Sequence, residues 1–359
     1  MKKSIILYIL LFINCTLLAQ NKDTWVSFWD KDSIHIGFKD QNGNVKIAPK
    51  FMGLTSANKF DDIIVVSEEV NESWKSYYLT KTGKIVGRDS LYIYDNGPDC
   101  ENEGFIRFKD YKTDKMGFFN GQGNIVIPAE YNDLTRVRNG MIIALKGATK
   151  IMDAGGDGHF SWSGGKEHLI DTNNKILIEN FGYNNELNFY SLQKSKEPNQ
   201  DPIRENFPGV DGQYYSFINY DKEFKLWLKD NLQTNLSKEN LLKFSFDKIT
   251  YWKKPNGWKN ESKTKFINQN YKIIKAKITE LTKTNCDYHV FSESLNPFIY
   301  EGKEFSEYFD NCNQAKEWMY PVKNIVISNK DVKQDHLEFL KTENGYKLIS
   351  VSLAKENLK

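Results

Sequence analysis

The residues best placed for chemistry in this chain fall in one glycine-rich stretch, Asp153-Ala-Gly-Gly-Asp-Gly-His159, followed by Phe160-Ser-Trp-Ser-Gly-Gly165. Asp153, Asp157 and His159 each carry an atom that can ligate a cation, but their spacing lacks the Asp-x-Asp-x-Asp-Gly order of a calcium loop. Ser163 and Gly165 make half of a nucleophile elbow, and Ser161 stands where its first glycine belongs. A glycine-rich connection between strands accounts for both patterns without chemistry. The stretch does offer contact area, because Phe160 and Trp162 on such a loop present aromatic surface to a ligand or partner.

No other constellation is complete. The five histidines, His35, His159, His168, His289 and His336, form no His-Glu-x-x-His metal helix, and no phosphate-binding or dinucleotide glycine loop is present. Carboxylates are plentiful but cannot be paired by sequence alone. Past residue 20 three cysteines remain, Cys100, Cys286 and Cys312. With no Cys-x-x-Cys pair, metal ligation is not indicated. Cys286 and Cys312 lie in the same half of the chain and are the expected disulfide. Cys100 would then be a free thiol, or itself the alternative partner. The reading is a non-catalytic protein with no cofactor and no metal.

The elements that position these residues recur. Turn residues Gly43 in Asp40-Gln-Asn-Gly-Asn44, Gly83 in Lys81-Thr-Gly-Lys84, Gly123 in Gly121-Gln-Gly-Asn124 and Asn174 in Asp171-Thr-Asn-Asn-Lys175 each precede an apolar strand. Gly43 to Gly83 and Gly83 to Gly123 are each 40 residues; Gly123 to Asn174 is 51, and the glycine-rich stretch supplies the excess. Six residues before each turn stand Gly37, Tyr77, Gly117 and His168. A fixed period of a few tens of residues marks a repeat array. Apolar residues alternate at Val45 and Ile47 and at Ile125 and Ile127, as half-buried strands require. One hairpin is marginal in water, so neighbouring units must share a core.

The central unit, Lys115-Met-Gly-Phe-Phe119 with Gly123-Asn-Ile-Val-Ile-Pro128 and Tyr131, resembles the WG repeat. The first unit keeps Gly37-Phe38, Asp40, Gly43, Pro49 and Phe51. The fourth keeps Leu169-Ile-Asp171, with Glu167-His168 in place of Trp-Gly, and no unit has the Trp-Gly pair itself. The resemblance spans about residues 30–192. It implies a β-repeat domain and brings no catalytic residues with it.

Residues 1–19 are expected to be a cleaved signal peptide: Lys2-Lys3, an apolar run from Ile5 to Ile13, then Ala19 before Gln20. Asn14 before Cys15 disfavours a lipoprotein, and the apolar run is too short to favour a membrane span. The expected location is therefore the periplasm, the cell surface or the medium. Charged residues are 27% of the 359 and the net charge is +2. That balance argues against a nucleic-acid partner, which calls for a strongly basic face. A protein or another envelope ligand is the expected partner.

Polar residues with two prolines and Pro208-Gly209 suggest a linker at 193–210, between a repeat domain at 20–192 and a second domain at 211–359. Phe217, Tyr220, Phe224, Trp227 and Leu228 step as one helical stripe, as do Ile267, Tyr271, Ile274, Ile278 and Leu281. Strands follow, the last two around the hairpin signal Asn344-Gly345. The expected fold is an all-β array of stacked hairpin or meander units, then an α+β domain with helices packed on an antiparallel sheet. The leading reading is an exported binding or scaffold protein. The runner-up places a small-ligand pocket or an enzyme in the second domain, with the repeats as accessory.

Overall fold

A computed structural model describes residues 23–94, 97–153, 155, 159–182, 184–328 and 333–359. The expected signal peptide and Asp157 lie outside the described residues. The chain is strand-rich, and most of its sheets are small and antiparallel.

Each repeat unit is a three-stranded ladder closed by the same turn. In the first, Ile36–Lys39 pairs with both Trp25–Trp29 and Val45–Phe51; in the third, Lys115–Asn120 pairs with both Phe105–Asp110 and Ile125–Tyr131. The turn residues Gly43, Gly83, Gly123 and Asn174 all have positive φ. Three residues earlier, an oxygen side chain pins the turn. Asp40 Oδ1 accepts from the backbone N–H groups of Asn42 and Asn44, Asn120 Oδ1 from Gln122 and Asn124, and Asp171 Oδ1 from Asn173 and Lys175. Thr80 Oγ1 accepts from Lys84 N–H in the second unit. These side-chain bonds satisfy donors that a hairpin tip would otherwise leave to water.

The position six residues before the turn sets how closely the strands approach. Gly37 and Gly117 each face a bulge in the following strand. A Cβ at Gly117 would sit 2.4 Å from the Ile127 carbonyl oxygen and 2.8 Å from the Phe108 ring; at Gly37 it would sit 2.6 Å from the Ile47 oxygen. Phe28 and Phe108 are their cross-strand partners. In the fourth unit the sizes are exchanged, His168 pairing with Ala144. Gly117→Ala therefore forces backbone apart and is expected to cost about 3 kcal/mol, read by urea denaturation. An unchanged midpoint would show that the bulge relaxes freely.

The 193–210 stretch is not a free connection. Leu187–Ser195 and Arg204–Pro208 both pair with Tyr214–Asn219 in one three-stranded sheet. Its polar residues are spent internally: Asn206 Oδ1 accepts from Asn199 N–H, its Nδ2 donates to the Asn199 carbonyl, and buried Arg204 donates to Ser216. The stripe beginning at Phe217 is likewise divided. Phe217 belongs to this sheet and to a cluster with Leu169, Phe181 and Phe189, while Phe224 and Leu228 on helix α1 (Tyr220–Leu228) enter a different core.

That second core lies beneath a six-stranded sheet in the order Gly257–Ser262, Ser245–Lys253, Gly345–Ser352, Gln334–Thr342, Val322–Ser328, Tyr288–Glu293. The sheet is mixed, not antiparallel as expected, because Ser245–Lys253 runs parallel to Gly345–Ser352. Its first two strands lie between helices α2 (Lys238–Lys243) and α3 (Lys263–Glu280), so the helices do not simply precede the strands. Phe224 and Leu228 of α1 and Phe266, Ile267, Ile274 and Ile278 of α3 pack on Ile325, Leu337, Phe339 and Leu348 of the sheet. Leaving water on this scale is the main source of stability.

Candidate functional site

The expected Cys286–Cys312 disulfide does not form. Cys312 is bonded to Cys100, 212 residues away in sequence, and Cys286 is free. The reason is a second use of the repeat's own turn. Residues 310–314, Asp-Asn-Cys-Asn-Gln, fold as the repeat turns do: Asp310 Oδ1 accepts from the N–H groups of Cys312 and Gln314, Asn313 N–H donates to the Asp310 carbonyl, and Asn313 has φ +61°. This finger of the C-terminal half reaches into the array. The Asn311 carbonyl accepts from the N–H groups of Asn58 (2.7 Å) and Lys59 (3.0 Å), and Asn311 Nδ2 donates to Asp61. Cys312 packs against the cluster around Phe38, Phe51 and Phe60.

Beside the finger, both halves line a cleft of about 940 Å³. Its floor carries three arginines. Arg107 makes a two-pronged pair with Asp99 (2.6 and 3.0 Å), donates to the Leu134 carbonyl and lies 4.5 Å over the Tyr92 ring. Arg136 bonds Asp310 at 2.8 Å and Gln314, and approaches Asp99 at 3.4 Å. Arg136 and Arg138 both lie over the Trp318 ring, at 5.7 and 5.5 Å. Burial alone would raise the Asp99 carboxyl. The Arg107 charge and hydrogen bonds, with Arg136 behind, outweigh that and hold it below its ordinary value. Burial likewise opposes the charge on Arg107, and Asp99 more than offsets it.

The rim is aromatic. Tyr94 is 75% exposed, and Trp162 faces the cleft from strand Phe160–Ser163. Phe160 meets Trp162 edge to face, and Lys150 sits 4.0 Å over the Phe160 ring. Lining charges are mixed: Arg107, Arg136, Arg138 and Lys166 against Asp133, Glu167 and Glu317. No histidine or cysteine is among the described lining residues, and the cleft offers hydrogen bonds, charge and ring faces.

Of the described candidates singled out by sequence, Trp162 lines the cleft, and so does Gly165 of the incomplete elbow. Phe160 supports it from the same strand. Asp153 and His159 are exposed at the loop end of that hairpin, joined by a backbone bond from Asp153 N–H to the His159 carbonyl. Among the described residues, the side chains close enough to hold a metal are Cys100, Asp310 and Cys312, whose two sulfurs are joined to each other. Tyr92, Tyr94, Arg107, Arg136 and Trp318 escaped the sequence reading. The signal that could have found the finger was the turn itself, since Asp310 and Asn313 stand at the spacing of Asp171 and Asn174.

The fold and cleft thus define a β-repeat protein whose repeats are joined covalently to a second, helix-bearing half. Residues 116–148 match the model of the WG containing repeat, and the chain carries that repeat. The match covers the central unit, whose turn geometry recurs at Gly43, Gly83 and Asn174. No curated protein and no solved structure matches the chain.

Proposed function

We propose that the chain is an exported, non-catalytic binding protein, with its ligand or partner held in the cleft between the repeats and the C-terminal half. The single observation that carries this reading is the cleft's construction. Two halves are fixed by a disulfide and by the Arg136–Asp310 pair, while exposed Tyr94 and Trp162 remain at the mouth. Aromatic side chains with mixed charges around them are typical of recognition surfaces. Export is supported by the order of residues 2–20 and by a disulfide, a bond that persists in oxidising compartments. No helix among the described residues is long and apolar enough to cross a membrane.

The test is site-specific photocrosslinking in intact cells of the source. A benzophenone side chain at position 94 is expected to capture a discrete adduct. The same group at Tyr111, 57% exposed and outside the cleft, is expected to capture none. The purified protein should begin near Gln20. Equal labelling at both positions, or no labelling at 94, would remove the cleft from the reading; an intact Met1 would remove export.

A further inference from the structure

The six-stranded sheet has a second face, turned away from the helices. Segment 295–320 covers part of it, burying Tyr300, Phe305 and Tyr308 against Val322, Leu340 and Ile349. Register alone sets an unusual row across the middle of this face. Asn260 pairs with Thr250, Thr250 with Ser350, Ser350 with Glu338, Glu338 with Asn324 and Asn324 with Phe291. Five polar residues therefore cross five neighbouring strands in line, and Phe291 ends the row on the sixth. Thr250, Ser350 and Asn324 are buried, and buried polar groups are costly unless they are used.

A cavity of about 190 Å³ opens above this row. That is the liquid volume of about six waters. Leu295, Ile299 and Val322 give it an apolar wall, Tyr300 closes the back, and half-exposed Trp258 stands at the mouth against Trp252. Among the described residues, its charged lining is two acids, Glu293 and Glu338. Asn324 Nδ2 holds Glu293 in place at 3.0 Å and meets His336 Nδ1 at 3.2 Å, while the buried Asn324 Oδ1 has no hydrogen-bond partner among the described residues. Burial, and then the Glu293 charge, push Glu338 up to about 7, against a hydrogen bond from Ser350. A cation placed between the two carboxylates would offset their mutual repulsion and favour the charged form of Glu338 against its burial.

We propose that this cavity binds the ammonium head of a small organic cation, with Glu338 and Glu293 as counter-charges and Trp258 and Tyr300 as ring walls. An ammonium group gains from carboxylates and from aromatic faces at once. A bare divalent ion is a poorer match, since it needs six or more oxygens and gains nothing from the hydrocarbon wall. The site shares Ser294 with the cleft, but Glu293, Glu338, Trp258 and Tyr300 do not line the cleft, so its failure would leave the cleft reading untouched.

The experiment is calorimetric titration of the mature full-length chain with choline and with ethanolamine. The neutral control is 3,3-dimethylbutan-1-ol, which has the shape of choline without its charge. At least one of the two cations is expected to bind saturably, and the neutral alcohol at least about tenfold more weakly than choline if choline is the ligand. Glu338→Gln is expected to weaken cation binding about tenfold or more, and Trp258→Leu about threefold or more. Circular dichroism checks folding. If Glu338→Gln does not fold, exposed Glu293→Gln replaces it with the same expected direction. The proposal is overturned if neither cation binds at tens of millimolar, if choline is the cation that binds and binds no better than the alcohol, or if the folded glutamine variant binds as the wild type does.

Discussion

Reducing the Cys100–Cys312 bond is expected to lower the unfolding free energy by about 4–5 kcal/mol, the largest effect of any single change considered. The bond spans 212 residues, and closing a long loop in the unfolded chain removes more entropy than closing a short one. Urea denaturation of the mature chain with and without reductant measures it. Cys100→Ser and Cys312→Ser should each reproduce the reduced midpoint and abolish its sensitivity to reductant. Cys286→Ser should keep both the oxidised midpoint and the sensitivity, because Cys286 is free. A chain whose stability ignores reductant, or follows Cys286, would refute the observed pairing.

Lys323→Met should cost about 3 kcal/mol. Lys323 is wholly buried on the C-terminal sheet, and its ammonium bonds Asp221 at 2.6 Å, Ser292 at 2.5 Å and also Glu186. Glu186 precedes the strand Leu187–Ser195, and its carbonyl accepts from Tyr220 N–H, the first residue of α1. Methionine keeps most of the volume but leaves two partly buried carboxylates side by side. Denaturation followed by near-ultraviolet circular dichroism and by hydrogen exchange in the repeat strands should move together, since the lysine joins both halves. If exchange in the repeats stays at the wild-type level while the C-terminal half loosens, the halves unfold separately.

The repeats were legible because one turn fixes them and its residues are contiguous. Asp40, Asn120 and Asp171 each sit three residues before a positive-φ residue, and that spacing survives even where Trp-Gly does not. The helical stripes were legible in α3, where a single face is buried. They misled at Phe217, because a strand and the following helix carried apolar residues at a spacing that happens to suit a helix. The linker misled because polar composition says that side chains are solvated or bonded, without saying which; the Asn206 side chain is bonded twice to the Asn199 backbone.

The sites were less legible. Trp162 could be picked as an exposed aromatic, but Arg107, Arg136 and Trp318 meet only through the fold, across more than two hundred residues of chain. The polar row across the C-terminal sheet depends on the register of four strand pairs at once. A one-residue slip in any of them would break it, so no local pattern announces it. The disulfide was misassigned for a similar reason. Nearness in sequence favoured Cys286, while the turn at Asp310 carried Cys312 to the other half.

The finger at 310–314 also sets an order of events in time. A ribosome adding about 5–20 residues per second needs about 10–40 s to travel from Cys100 to Cys312. Throughout that interval the first two repeats have been made, but the piece that completes their side at Asn58 and Lys59 has not. Cys286 emerges before the true partner and is the one competitor for the waiting Cys100 thiol among the described cysteines. Early oxidation therefore favours a mispaired chain, and correct maturation requires the Cys100 thiol to stay reduced until the last sixth of the sequence arrives.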